Sequence, residues 1–293
     1  MHEISGTDRW HRLIPWLFLL PAMLFFTVYV ISPILQSIWI SFFDWDGFGD
    51  KVFIGLGNYV ELGEDPLFWT SLKNNILWLV FYMLAVPLGL GVALFLNQQV
   101  LGIRAVKSLF FFPFVISQVI VGVVFAWFYD PSYGLLQKAL GLFGMGPLPI
   151  LADETLVTYG IIAAGLWPQI AYTMILYLTG LNNLNPEQIE AARMDGAHGW
   201  KMLRHVILPQ LRPATFLAIV VTVIGALRSF DLVATMTGGG PYGSSSVLAF
   251  FMYEQAIFNY RMGYGAAIAT VLFAIMLIYI SFFLWRMLRA ERG

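Results

Sequence analysis

Two charged residues stand inside an apolar run, Arg228 and Asp231 within Ala214–Met236. Ionisable side chains in hydrocarbon are costly, and they mark internal pairs, ion paths or solute paths. Three positions apart, they fall on one face of a continuous helix. There Arg228 lies about 21 Å from Ala214 at the helical rise per residue, and Asp231 lies nearer the far end. Two readings stand: an ion pair or an outward-snorkelling arginine, or the polar lining of a translocation path near an outer gate. Asn74, Asn75, Gln118, Gln169, Tyr172 and Asn182 are further polar positions in or beside apolar runs. Each can line a path or bond between helices. Trp167, Tyr172 and Tyr177 add flat aromatic faces on which a sugar ring could stack.

Catalytic chemistry finds less support. The chain has no cysteine, which excludes disulfides, thiolate ligands and a cysteine nucleophile. It has no G-x-x-x-x-G-K-[ST] phosphate cradle, and the glycine-rich TGGGPYGSSS of Thr237–Ser246 has no lysine in register. No H-E-x-x-H occurs, and His2, His11, His198 and His205 form no metal-ligand spacing. The expectation is a chain that is not an enzyme and binds no metal or other cofactor of its own.

The elements that must hold these residues are membrane spans. Of 293 residues 59% are hydrophobic and 11% charged, with mean hydropathy +0.76. Soluble domains carry about 25% charged residues, so this chain could not cover a water-facing surface. About 20 helical residues cross a bilayer, and six stretches suffice: 13–43, 72–96, 106–129, 156–178, 214–236 and 263–288. The apolar run after Arg12 is too long for a signal-peptide core and reads as the first span. Prolines 15, 21 and 33 allow that span to bend. The fold class expected is all-α, one polytopic domain over 1–293 with six transmembrane helices.

Lysine and arginine orient the spans. With the N-terminus in the cytoplasm, the inner connections hold Arg9, Arg12, Arg104, Lys107, Arg193, Lys201, Arg204, Arg212, Arg286, Arg289 and Arg292. The outer ones hold only Lys51, Lys73, Lys138 and Arg261. Both termini are therefore expected in the cytoplasm, together with Glu190–Pro213. Of the outer connections, Asp44–Thr70 is acidic and aromatic and reads as an interfacial belt or as a docking or sugar-stacking surface. Thr237–Ser246 reads as a flexible loop, and the following VLAFFMYEQAIF as a short interfacial helix.

The inner segment 186–209 has its own pattern. Asn185 can cap a helix that starts at Pro186, with Glu187 near its positive end. Ile189, Ala192, Gly196 or Ala197, Trp200, Leu203 and Ile207 then recur at helical spacing as one apolar stripe. Glu190, Arg193, Lys201 and Arg204 lie opposite. Gly196 breaks the pattern into helix, turn, helix, and Pro209 and Pro213 end it. A surface amphipathic helix is one reading. Glu190 and Asp195 disfavour anionic lipid, and a protein-binding element fits better.

EAARMDGA followed by VILPQLRP resembles the cytoplasmic "EAA" loop of the membrane subunits of binding-protein-dependent ABC importers. The similarity is to the carbohydrate-uptake group, in the branch of the maltose and glycerol-phosphate permease subunits. The matched positions are Glu190, Ala191, Ala192, Asp195, Gly196, Ala197, Leu208, Pro209 and Pro213, while Val206 stands where the family usually has isoleucine. The early proline-rich first span, Phe111–Pro113, Leu181–Pro186 and Ser229–Pro241 with its FDLVATMTGGGP extend the resemblance over most of the chain.

This resemblance implies a type I importer permease fold in a bacterial or archaeal plasma membrane. It also implies that Glu190–Arg204, with Trp200 and Arg204 among its contacts, is a coupling helix seated in a groove of a separate ATPase. Glu190 would pair there with a basic group. The implied partners are a second related permease subunit, two cytoplasmic ATPases that bind ATP and magnesium, an extracytoplasmic solute-binding protein and the lipid membrane, with no nucleic acid. The function implied is half of the translocation path for a sugar or oligosaccharide. A glycerol-phosphate-type importer, an ion-coupled secondary carrier and a scaffold without transport are the alternatives.

Overall fold

The computed structural model describes residues 6–98 and 102–291. His2 and Arg292, used above for metal spacing and orientation, lie outside the described residues. Apart from one two-stranded hairpin, the regular structure among the described residues is helical. The chain divides into two compact units, Met1–Glu64 with Met252–Phe273, and Asp65–Phe251 with Ala274–Gly293.

In the first unit, α1 (Gly6–Phe26) passes through a π-helical turn, Thr27–Ile31, into α2 (Ser32–Ile40). Pro33 brings no N–H to the carbonyl one turn back, and the wider turn before it absorbs the loss. Strands β1 (Phe43–Asp44) and β2 (Val52–Phe53) pair antiparallel, Phe43 opposite Phe53. Helix α3 (Gly57–Glu64) is tied to this hairpin by Asn58, whose amide donates to the carbonyls of Ser41 and Phe43.

In the second unit, Asp65 caps α4 (Pro66–Tyr82) through the Leu67 N–H at 2.8 Å, with Pro66 as first residue. Helix α5 (Ala85–Leu96) continues that span, and α6 (Ile103–Val115) and α7 (Gln118–Phe128) follow. After α8 (Leu135–Leu142) comes the longest helix of this unit, α9 (Val157–Asn182), which packs on α4, α5 and α6. Thr173 Oγ1 donates to the Ala85 carbonyl at 2.7 Å, fixing α9 to α5. Two buried apolar clusters fill the unit, one around Trp78, Tyr82, Ile161 and Leu232 and one around Leu96, Met174, Tyr177 and Leu211.

The charged segment forms α10 (Pro186–Met194), α11 (Gly199–Met202), a π-helical turn over Leu203–Ile207 and α12 (Leu208–Gln210). Here too the π turn precedes a proline, Pro209. Helices α13 (Arg212–Leu227), α14 (Phe230–Met236), α15 (Leu248–Tyr253) and α16 (Met262–Glu291) complete the chain.

Among the described residues four helices are long and apolar enough to cross a bilayer: Ile14–Ile40, Pro66–Leu96, Val157–Asn182 and Met262–Phe283. Two bent pairs, Ile103–Val115 with Gln118–Phe128 and Gly199–Gln210 with Arg212–Leu227, bring the number to six if each is one crossing. The stretch 106–129 is therefore not one continuous helix. It bends by 100° between α6 and α7, where Ile116 and Ser117 are extended and Ser117 caps the second half.

The stretch 214–236 also differs from the expectation. Its helix stops at Leu227, because Arg228 (ψ 22°) and Ser229 (ψ 41°) leave helical geometry. Ser229 Oγ donates to the Ala226 carbonyl at 2.9 Å, and the Phe230 N–H reaches back to the Arg228 carbonyl at 2.7 Å. Arg228 and Asp231 thus do not share one face of a continuous helix, whereas the placement of Arg228 about 21 Å from Ala214 agrees with α13 running unbroken to Leu227.

The glycine-rich loop Thr237–Ser246 is not loose. Asn74 Nδ2 donates to the carbonyls of Ser244 and Ser246, Thr237 Oγ1 lies 2.8 Å from Ser245 Oγ, and Ser245 Oγ donates to the Gly240 carbonyl. Asn75 Oδ1 accepts the Leu248 N–H at 2.9 Å, which caps the start of α15. Leu248, Phe250 and Phe251 are buried, so α15 is half inside the protein rather than only interfacial.

Candidate functional site

The bend between α6 and α7 and the break between α13 and α14 meet at one cavity. It holds about 370 Å³ and is lined by Trp78, Tyr82, Gln118, Gln169, Tyr172, Val221, Ile224, Gly225, Arg228, Ser229, Asp231 and Leu232. Gln118 is the first residue of α7, directly after the bend, while Arg228 and Ser229 are the break between α13 and α14. A broken helix frees backbone groups, which in a membrane are tolerated where they border a cavity or are satisfied by neighbours.

The walls are held by specific contacts. Tyr82 donates its hydroxyl to the Gly165 carbonyl at 2.9 Å, and its ring stands 5.1 Å from that of Trp78. Gln169 Nε2 donates to Thr222 Oγ1 at 2.9 Å, which joins α9 to α13 beside the cavity. Tyr172 stacks on Phe114 at 5.0 Å. Gly225 faces this wall without a side chain, and a Cβ there would meet Tyr82 at 3.4 Å and Gln169 at 3.5 Å. Above the breaks α14 packs on α7, with Gly122 so close that a Cβ would lie 3.0 Å from Thr235.

Its chemistry is mixed. Arg228 and Asp231 are both exposed to the cavity side, and no ion pair or side-chain hydrogen bond involves either among the described residues. The break that separates them explains why the internal-pair reading does not hold. Trp78 is 1% exposed and its Nε1 has no partner, nor has the buried Oε1 of Gln118. The cavity therefore offers one cation and one anion beside aromatic rings, with the unpaired atoms of Trp78 and Gln118 buried in its wall.

Of the sequence candidates, Gln118, Gln169, Tyr172, Arg228 and Asp231 come together here. Asn74 and Asn75 do not line this cavity; they hold the glycine-rich loop instead. Asn182 borders a separate groove with Lys107, Tyr177 is core, and Trp167 packs on Phe125. Trp78, Tyr82 and Thr222 were not singled out by sequence, and Ser229 stood out only as the start of the family-like stretch Ser229–Pro241. The signal available was the spacing of Asn74, Trp78 and Tyr82, four apart, which marks one polar-tipped face of α4.

The charged segment presents the second candidate surface. Asn185 Oδ1 accepts the Glu187 N–H at 2.9 Å, as its position implied. After α10 the chain turns at Gly196 (φ 82°), and the Ala197 N–H reaches the Ala192 carbonyl, a glycine-terminated helix end. Glu190, Ala191, Asp195, Gly196, Arg204 and Pro209 are exposed, and Ala192 and Ala197 half-buried. Trp200 departs from the expected inward stripe: it is 67% exposed, and Met202 and Leu211 are buried in this region instead. Met194, 89% exposed, adds a second uncovered apolar side chain.

Comparison with known proteins follows from this geometry. Residues 85–291 match the family described as "Binding-protein-dependent transport system inner membrane component". A probable ABC transporter permease protein of Pyrococcus horikoshii is 36% identical over 279 residues, covering 94% of this chain and 96% of the relative. The alpha-glucoside transport system permease protein of Rhizobium meliloti is 32% identical, covering 95% and 82% respectively. Among solved structures, a chain of a bacterial alginate ABC transporter, crystallised with an alginate pentasaccharide-bound periplasmic protein, superposes with a TM-score of 0.82. It is 22% identical over 96% of each chain, a likeness of fold.

Proposed function

Because this chain belongs to the inner membrane components of binding-protein-dependent transport systems, we propose that its cavity is half of the translocation path for a sugar or oligosaccharide. The chain is a multi-pass membrane permease subunit of an ATP-driven importer. The observation that carries the solute-path reading is the meeting of the α6–α7 bend and the α13–α14 break at a cavity lined by Arg228, Asp231, Gln118, Gln169 and Tyr172. A relative named for alpha-glucoside transport supports a carbohydrate as cargo.

In this reading Glu190–Arg204 lies in the cytoplasm with both termini, as the lysine and arginine bias expects. It seats in a separate ATPase that supplies ATP and magnesium. Glu190, exposed on α10, meets a basic group of that partner, and Met194 and Trp200 fill apolar contacts. Movement of the segment is passed through α12 into α13, whose far end is the Arg228–Ser229 break. The chain thus connects ATPase closure to the cavity wall. A second permease subunit supplies the other half of the path, and an extracytoplasmic binding protein delivers the solute.

Reconstitution tests the proposal. The purified complex should contain this chain, a second permease chain and two ATPase chains, and in proteoliposomes it should take up a labelled carbohydrate only with ATP and binding protein. Uptake by this chain alone, driven by an ion gradient, would favour the secondary-carrier alternative and refute the assignment.

A further inference from the structure

Two unlike charges face one cavity without pairing, and this carries a rule for what the cavity accepts. In apolar surroundings opposite charges three residues apart ordinarily neutralise one another. Here the chain spends a helix break, with Ser229 turned onto the Ala226 carbonyl, to keep Arg228 and Asp231 more than a salt-bridge distance apart. No other lining residue carries a formal charge, so the wall is electroneutral in sum and polar in detail.

Resting on the reading of this cavity as a solute path, we infer that Arg228 and Asp231 are specificity-determining residues that select an electroneutral polyol and reject its charged analogues. A hydroxyl group can accept from Arg228 and donate to Asp231. A neutral ring bearing several hydroxyls therefore satisfies both groups together. A carboxylated sugar gains at Arg228 but brings like charge to Asp231, and an ammonium sugar does the reverse. In a partly desolvated site that repulsion is not screened away. Each charge thus attracts the neutral solute and excludes one class of competitor.

Saturation-transfer NMR on the purified importer in nanodiscs, without binding protein, tests the rule with glucose, glucuronate and glucosamine as probes. The wild-type complex should bind glucose at least about tenfold better than either charged probe. Asp231→Asn should raise glucuronate binding about tenfold, and Arg228→Gln should raise glucosamine binding similarly, with glucose weakened in both. The opposite signs separate a charge rule from general damage, since a misfolded variant loses all three probes. Equal binding of glucuronate and glucose by the wild type, or variants that leave the order unchanged, would overturn the inference. If a complex that couples ATP hydrolysis to uptake binds none of the probes, the charge rule falls and the importer reading stands. If the complex takes up no carbohydrate at all, the importer reading falls first.

Discussion

The side-chain amide of Asn74 donates 2.7 Å to the carbonyl of Ser244, a residue 170 positions later in the chain. With its second bond to the Ser246 carbonyl at 2.8 Å, it holds the glycine-rich loop against α4. Asn74 is 3% exposed, so no water can replace it if it is lost.

Asn74→Leu should therefore strand the Ser246 carbonyl and leave the Ser244 carbonyl only the Thr158 hydroxyl at 3.3 Å. The expected loss is about 1–3 kcal/mol, the desolvation penalty of an unmet buried acceptor, read as a lowered midpoint in detergent. Hydrogen exchange should rise at 238–247 in the same variant. Protection equal to wild type in that segment would show that the loop is held by its own bonds.

Gly165 sits where α4 and α14 meet α9. A Cβ there would lie 2.8 Å from Leu232 Cδ1 and 2.9 Å from the Tyr82 hydroxyl. Gly165→Ala must push the cavity wall outward or break the Tyr82 bond, so about 1–3 kcal/mol of stability should go. Carbohydrate uptake should fall further than the folded fraction does. A variant with wild-type thermal stability and uptake would mean that the wall yields freely.

At Gly196 the backbone has φ 82°, which a β-branched residue adopts only at a cost of roughly 1–2 kcal/mol. Gly196→Val should uncouple ATP hydrolysis from uptake, whereas Gly196→Asn should retain most coupling because asparagine tolerates this conformation. Comparable activity of the two variants would remove the turn from the account.

Much of this arrangement was legible locally. Composition set the membrane, and the spacing around Gly196 gave helix, turn, helix because a left-handed glycine is a local device. Asn185 and Pro186 likewise announced a helix start by their own chemistry. The break at Arg228–Ser229 was not legible, since neither residue is glycine or proline and the Ser229 bond to Ala226 is one option among several. Thr237–Ser246 was misread for the opposite reason. Its glycines and serines look flexible, but the groups that fix it, Asn74 and Asn75, are far away in sequence. Gln118, Gln169, Tyr172, Arg228 and Asp231 could each be noticed as polar residues in apolar runs. Only the α6–α7 bend and the α13–α14 break bring them to one cavity.

The central claim is that an ATP cycle enters this chain through Glu190. Binding-protein-stimulated ATP hydrolysis by the reconstituted complex measures it most directly, with Glu190→Gln against wild type. Glu190 is exposed and makes no hydrogen bond or ion pair among the described residues, so its replacement leaves this chain's fold intact. The account predicts an assembled complex whose stimulated hydrolysis and uptake fall about tenfold or more, the loss expected on removing one partner of an interfacial charge pair. Stimulated hydrolysis at the wild-type rate in a complex that carries Glu190→Gln would contradict it.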